Sequence, residues 1–164
     1  YISEYIHHRL MKHEGVMALE YRFVNLELNG ENLGIYALEE HFGIHVAEHN
    51  ERPPGPILRF EPLAYWEHRE DWMNNTKFLD EPAKMLSAPI GTYGETNVFE
   101  NEELKQAFAQ GAYLLEGFRR GEFATSEVFD IDKLARFHAV IDLVGGWRSL
   151  DWSDVKYYYN SATG

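Results

Sequence analysis

The chain has 164 residues, enough for one domain with a sizeable core, and sets 15 Lys and Arg against 27 Asp and Glu for a formal charge of −12. No basic cluster is longer than Arg119-Arg120, so duplex nucleic acid, which demands concentrated positive charge, is not an expected partner. Cysteine is absent, which excludes disulfides, Cys-ligated zinc and thiol catalysis, and no apolar run reaches the ~18 residues of a membrane span.

The N-terminus lacks the charged-then-apolar layout of a signal peptide, so any targeting or membrane segment is expected outside these residues. The chain opens at Tyr1 and stops at Gly164 inside what reads as a turn, and is expected to be a piece of a longer product.

Residues 3–14 read as a helix. Ser3 is placed to cap it, Ile2, Ile6 and Leu10 recur at four-residue spacing, and Gly15 stops it. His7, His8 and His13 read as surface or half-buried side chains.

Residues 21–38 predict a β-hairpin around Asn29-Gly30, because a type I′ turn needs φ > 0 at both central positions. Counting outwards sets Leu28 opposite Glu31, Leu26 opposite Leu33 and Val24 opposite Ile35 on one face. The other face pairs Asn25 with Gly34, Phe23 with Tyr36 and Tyr21 with Leu38. Both faces are partly apolar, so the second is expected to be covered, by a helix for instance. Gly34 leaves room for a backbone or ligand to approach.

Residues 40–49 read as a short helix with His41, His45 and His49 one turn apart. Zinc uses such pairs, but three in a row on one helix do not close around one ion, and the favoured reading is a solvated histidine face beside Phe42 and Val46. Arg52-Pro53-Pro54-Gly55-Pro56 is a rigid extended connection, and Ile57–Phe60 reads as a short strand.

Residues 61–99 read as a loop-rich excursion held down by Trp66, Trp72, Phe78 and Tyr93. Glu67, Arg69, Glu70 and Asp71 form a solvated charge run there, and Asn74-Asn75-Thr76 is a glycosylation sequon.

Order returns at Asn101, which caps a helix over 102–119 with a stripe of Leu104, Phe108, Gly111, Leu115 and Phe118. Asp130 caps a second helix over 131–144, with Leu134, Phe137, Ile141 and Val144 as its core face and Gly145-Gly146 as its stop. Val155–Tyr159 reads as a strand and 160–164 as a turn. The fold class is α+β, an antiparallel hairpin lobe (1–60), the excursion (61–99), and a helical part with a terminal strand (100–164).

Several segments carry a family resemblance. Asn29-Gly30 with Gly34-Ile35-Tyr36-Ala37-Leu38-Glu39-Glu40 resembles NG…G-[LI]-Y-x-L-x-E, and Gly55–Phe60 a GPILRF-like segment. Ala112, Leu114-Leu115, Phe118-Arg119 and Gly121 resemble A-x-x-LL-x-x-F-R-x-G, and Phe129-Asp130 with Leu134-Ala135 resembles FD-x-x-x-LA. Residues 153–164 resemble HN-x-x-(F/Y)-Y-Y-N-P-x-T-G. In this order the motifs resemble the spore coat protein H (CotH) family of atypical protein kinases, and the chain resembles an incomplete domain of that kind.

The resemblance implies an ATP- and Mg²⁺-dependent kinase acting on Ser or Thr of coat or surface proteins. It implies Asp151 as the base, Asp154 on the metal, and Arg59 and Glu40 toward the nucleotide, Arg59 standing where kinases generally place Lys. Read from its strand alone, Arg59 is equally an edge-strand surface arginine. The His-Asn pair of the family falls on Ser153 and Asp154, so an Asp stands in the Asn slot. The other reading is a non-catalytic, kinase-shaped binding module at a spore coat or cell surface.

Overall fold

The computed structural model describes residues 2–63, 66 and 86–164. Trp72, Phe78, the 67–71 charge run and the sequon lie outside the described residues. The element order is helix α1 (Ile2–His13), strands β1 (Tyr21–Leu28) and β2 (Glu31–Glu39), helix α2 (His45–His49), and strands β3 (Ile57–Phe60) and β4 (Ile90–Thr92). Helices α3 (Glu95–Glu100), α4 (Glu102–Arg119), α5 (Thr125–Val128) and α6 (Ile131–Val144) follow, then a 3-10 turn at Trp147–Leu150 and strand β5 (Tyr157–Tyr158). The fold is α+β: a hairpin first, then a largely helical part.

The helices form where local chemistry dictates. Asn101 accepts from the amides of Glu103 (3.0 Å) and Leu104 (3.1 Å), and Asp130 from that of Lys133 (3.1 Å), satisfying donors that helix starts leave orphaned. Gly15 and Gly145 end α1 and α6 in the left-handed conformation, both at φ +66°. Ser3 lies inside the first turn of α1 rather than capping it, because the helix already begins at Ile2.

The hairpin turns at Asn29-Gly30, both at positive φ, and Leu28 pairs with Glu31 as expected. Beyond the tip the register departs from expectation by one residue. A bulge between Leu26 and Glu27 sets Leu26 opposite Gly34, Val24 opposite Tyr36 and Phe23 opposite Ala37. Asn32 causes this locally: its Oδ1 accepts from the Gly34 amide at 2.8 Å, and Gly34 takes φ +86°, so Leu33 becomes the extra residue. The space beside Gly34 is open, so the glycine serves its own backbone geometry rather than a close approach.

The slip places Val24, Leu26, Tyr36 and Leu38 on one face. Among the described residues the expected cover is present only at the base of the opposite face, where Tyr5 of α1 packs on Tyr21 and Phe23. Leu26, Tyr36 and Leu38 remain exposed.

A second sheet runs β4-β3-β5, antiparallel throughout. Ile57–Phe60 is therefore central, which corrects the edge-strand reading, and residues 90–100 supply a strand and a helix where a loop was expected. Leu58 and Phe60 are about 1% exposed. Helix α4 lies over this sheet at Gly111, where an added Cβ would come within 3.1 Å of Leu58 and Tyr159. Helix α1 packs on α6, with Met11, Val140 and Ile141 joined by Ala18 in one core cluster, while Leu19, Val46 and Ile57 form a second.

Candidate functional site

The three-stranded sheet positions the central charges. Arg59 on β3 pairs with Gly91 of β4. Because Gly91 has no side chain, Glu61 lies across it, with its Oε1 2.1 Å from where a Cβ would stand, and accepts from Arg59 Nε at 2.7 Å. The guanidinium stacks over Tyr93 at 4.3 Å. Burial pulls the Arg59 pKa down, but the bonds to Glu61 and Tyr93 outweigh that and leave it raised. Arg59 is a fixed cation at every physiological pH.

On the other side, β3 pairs Leu58 with Tyr157 and Ile57 with Tyr158, and the same register carried one step further sets Arg59 opposite Lys156. Lys156 donates to the carbonyls of Ser153 (3.0 Å) and Asp154 (2.8 Å). Its pKa is lowered, first by burial and then by Arg59, against the opposing pull of Asp154 and Glu61. Two cations thus share one face of the sheet.

The loop between the 3-10 turn and β5 carries two carboxylates, and that of Asp154 acts on Lys156. Asp151 Oδ1 accepts from the Ser153 amide (2.9 Å) and hydroxyl (2.6 Å), and the amides of Asp154 (2.8 Å) and Val155 (3.0 Å) return to the Asp151 carbonyl. This turn folds the loop back and leaves Asp151 Oδ2 without a hydrogen bond among the described residues. The Asp154 carboxylate is exposed and likewise unbonded among them. A cleft of about 700 Å³ opens here, with Asp154, Lys156, Arg148, His8, Glu39 and the apolar Ile57 in its lining, while Asp151 and Arg59 lie outside it.

Of the four residues singled out in the sequence, Asp151 and Asp154 thus share one loop, and Arg59 is joined to it through Lys156. Glu40 has other partners. Its nearly buried carboxylate accepts from the Glu20 amide at 2.9 Å and faces His45 and His49 of α2. The neighbouring Glu39 is the one that lines the cleft, accepting from His8 Nε2 at 3.2 Å.

His41 lies outside α2, against the Phe42 carbonyl and the Tyr93 ring, so the three histidines do not form one face. Among the described residues no group of three His, Asp or Glu is arranged to hold a metal ion. Sequence reasoning missed Lys156 and Glu61. The signal for Lys156 was a charge set inside the aromatic strand Val155-Lys156-Tyr157-Tyr158-Tyr159.

A hairpin, a short three-stranded sheet and a largely helical part make this an α+β protein. The family described as CotH kinase protein matches residues 1–164, the whole chain, and the chain belongs to that family. No curated protein and no solved structure matches it.

Proposed function

We propose that this chain is the cation-and-acid core of a CotH-type kinase that transfers the γ-phosphoryl group of ATP, with Mg²⁺, to Ser or Thr hydroxyls of coat or surface proteins. The observation that carries this reading is a cleft lined by Asp154 and Lys156, with Arg59 close enough to Lys156 to act on it and Asp151 in the same loop as Asp154, in a member of the CotH kinase family. Phosphoryl transfer asks mainly for positioning and for charge opposite the phosphates. Arg59 and Lys156 supply that charge.

Mg²⁺ commonly takes one or two carboxylates and completes its shell with phosphate oxygens and water, so Asp154, a free carboxylate at the cleft, fits as its protein ligand. When bound, the ion would supply positive charge against the phosphates, with Asp154 the residue that would hold it. Asp151 Oδ2 is free to take the hydroxyl proton as the new P–O bond forms and the bond to the ADP oxygen breaks.

Calorimetric titration with ATP and Mg²⁺ tests this. Saturable binding is expected, Asp154→Ala should abolish it, and Asp151→Asn should leave binding intact while slowing transfer. The absence of any response up to roughly millimolar ATP, the upper end of ordinary substrate constants, would sink the kinase reading. One observation favours the non-catalytic reading: Arg59 is already paired with Glu61, and Lys156 with two backbone carbonyls, so both must exchange partners to meet a phosphate. In that case neither substitution alters any response to nucleotide.

A further inference from the structure

A second cleft, of about 310 Å³, lies where α4, the start of α6 and β5 meet, with Leu58, Leu115, Phe129 and Leu134 among its apolar lining. Its charge runs against that of the chain. In a protein of formal charge −12, this lining holds three cations, Arg52, Lys133 and Lys156, and one acidic side chain, Asp130. Asp130 is occupied as the cap of α6, accepting from the Lys133 amide.

Two of the cations are satisfied internally, Arg52 by the Gly15 carbonyl at 2.8 Å and Lys156 by those of Ser153 and Asp154. The ammonium of Lys133 has no hydrogen bond or ion pair among the described residues, although the residue is half-buried. Gly15 leaves room for it: a Cβ at that position would stand 2.9 Å from Lys133 Nζ. The Tyr157 hydroxyl, in the same lining, also has no partner among the described residues.

An apolar floor beside an unpaired cation and an unpaired neutral donor matches one ligand chemistry, an anionic head on a short apolar body. We propose that this cleft binds a small amphipathic carboxylate, with its head on Lys133 and its hydrocarbon against Phe129 and Leu134. The volume is at the low end for ligand sites, which selects a short chain over a membrane lipid. This site does not depend on the kinase reading. Lys133 lines only this cleft, whereas Lys156 lines both, so Lys133 is the residue to change.

The test is calorimetric titration of the unmodified chain with octanoate and, separately, with octanamide, the uncharged compound of the same length. Octanoate is expected to saturate, octanamide to bind at least about tenfold more weakly, Lys133→Met to weaken octanoate by at least about tenfold, and Lys133→Arg to retain it. Equal affinity for the two compounds, equal affinity of wild type and Lys133→Met, or no saturation at roughly millimolar octanoate would overturn the proposal. Should Lys133→Met lose its cooperative melt, the octanoate–octanamide comparison on the unmodified chain decides.

Discussion

Alkaline titration of Tyr157 gives a sharp check on the packing around β5. Its ring lies between Phe60 and Phe129, at centroid distances of 6.0 and 5.8 Å, and burial pushes its pKa from 10.0 up to about 12. The folded state therefore holds this proton more tightly than the unfolded chain. Below the unfolded value both states are protonated and the full contribution is present. As pH rises from about 10 to about 12 the unfolded chain ionises first and stability falls, at up to about 1.4 kcal/mol per pH interval, so about 3 kcal/mol is lost in all.

Urea unfolding of the wild type and of Tyr157→Phe, compared at about pH 9 and about pH 12, isolates this group, because every other alkaline titration is common to both proteins. The stability of wild type relative to Tyr157→Phe should fall by about 2 kcal/mol between the two conditions. Parallel losses in the two proteins would refute the claim that this phenol is desolvated between the aromatic rings.

Two further substitutions probe local geometry. Gly55→Ala would place a Cβ 2.3 Å from the Tyr159 carbonyl oxygen, a backbone atom that cannot swing away, and should cost about 1–3 kcal/mol and lower the melting temperature. An unchanged melt would mean that the 52–56 connection does not press on the end of β5. Asn101→Ala removes the acceptor for two amides at the start of α4 and should cost about 1 kcal/mol in denaturant unfolding, while Asn101→Asp should retain the stability. An Asn101→Ala variant as stable as wild type would show that the cap contributes nothing.

What the sequence made legible was local. Asn101 and Asp130 announce α4 and α6 because a cap is satisfied within three residues, and Asn29-Gly30 announces its turn by backbone geometry alone. The bulge escaped because it hangs on a side chain, Asn32, competing with the ladder for the Gly34 amide; the Asn-x-Gly spacing was its only trace. The order β4-β3-β5 escaped for a different reason: it joins residues far apart in the chain, and no periodicity within a strand says which partner it will find. In the candidate site, Asp151 and Asp154 were reached through the family resemblance rather than a local pattern, while the position of Lys156 is set by strand register, and Glu61 reaches Arg59 because Gly91 clears its path.

The hairpin has one more consequence. Among the described residues β1 and β2 share a ladder with each other alone, and α1 grips them only at the Tyr21 end, through Tyr5, His8 and the bond from the Tyr21 hydroxyl to Glu4. Two strands without a packed face are marginal in water, whereas β3 is hydrogen-bonded on both edges and buried. The chain is thus divided into cooperative units of unequal depth: amides around Leu26 and Tyr36 exchange with solvent through a local opening that leaves the rest intact, and those of Leu58 and Phe60 exchange only when the whole protein unfolds.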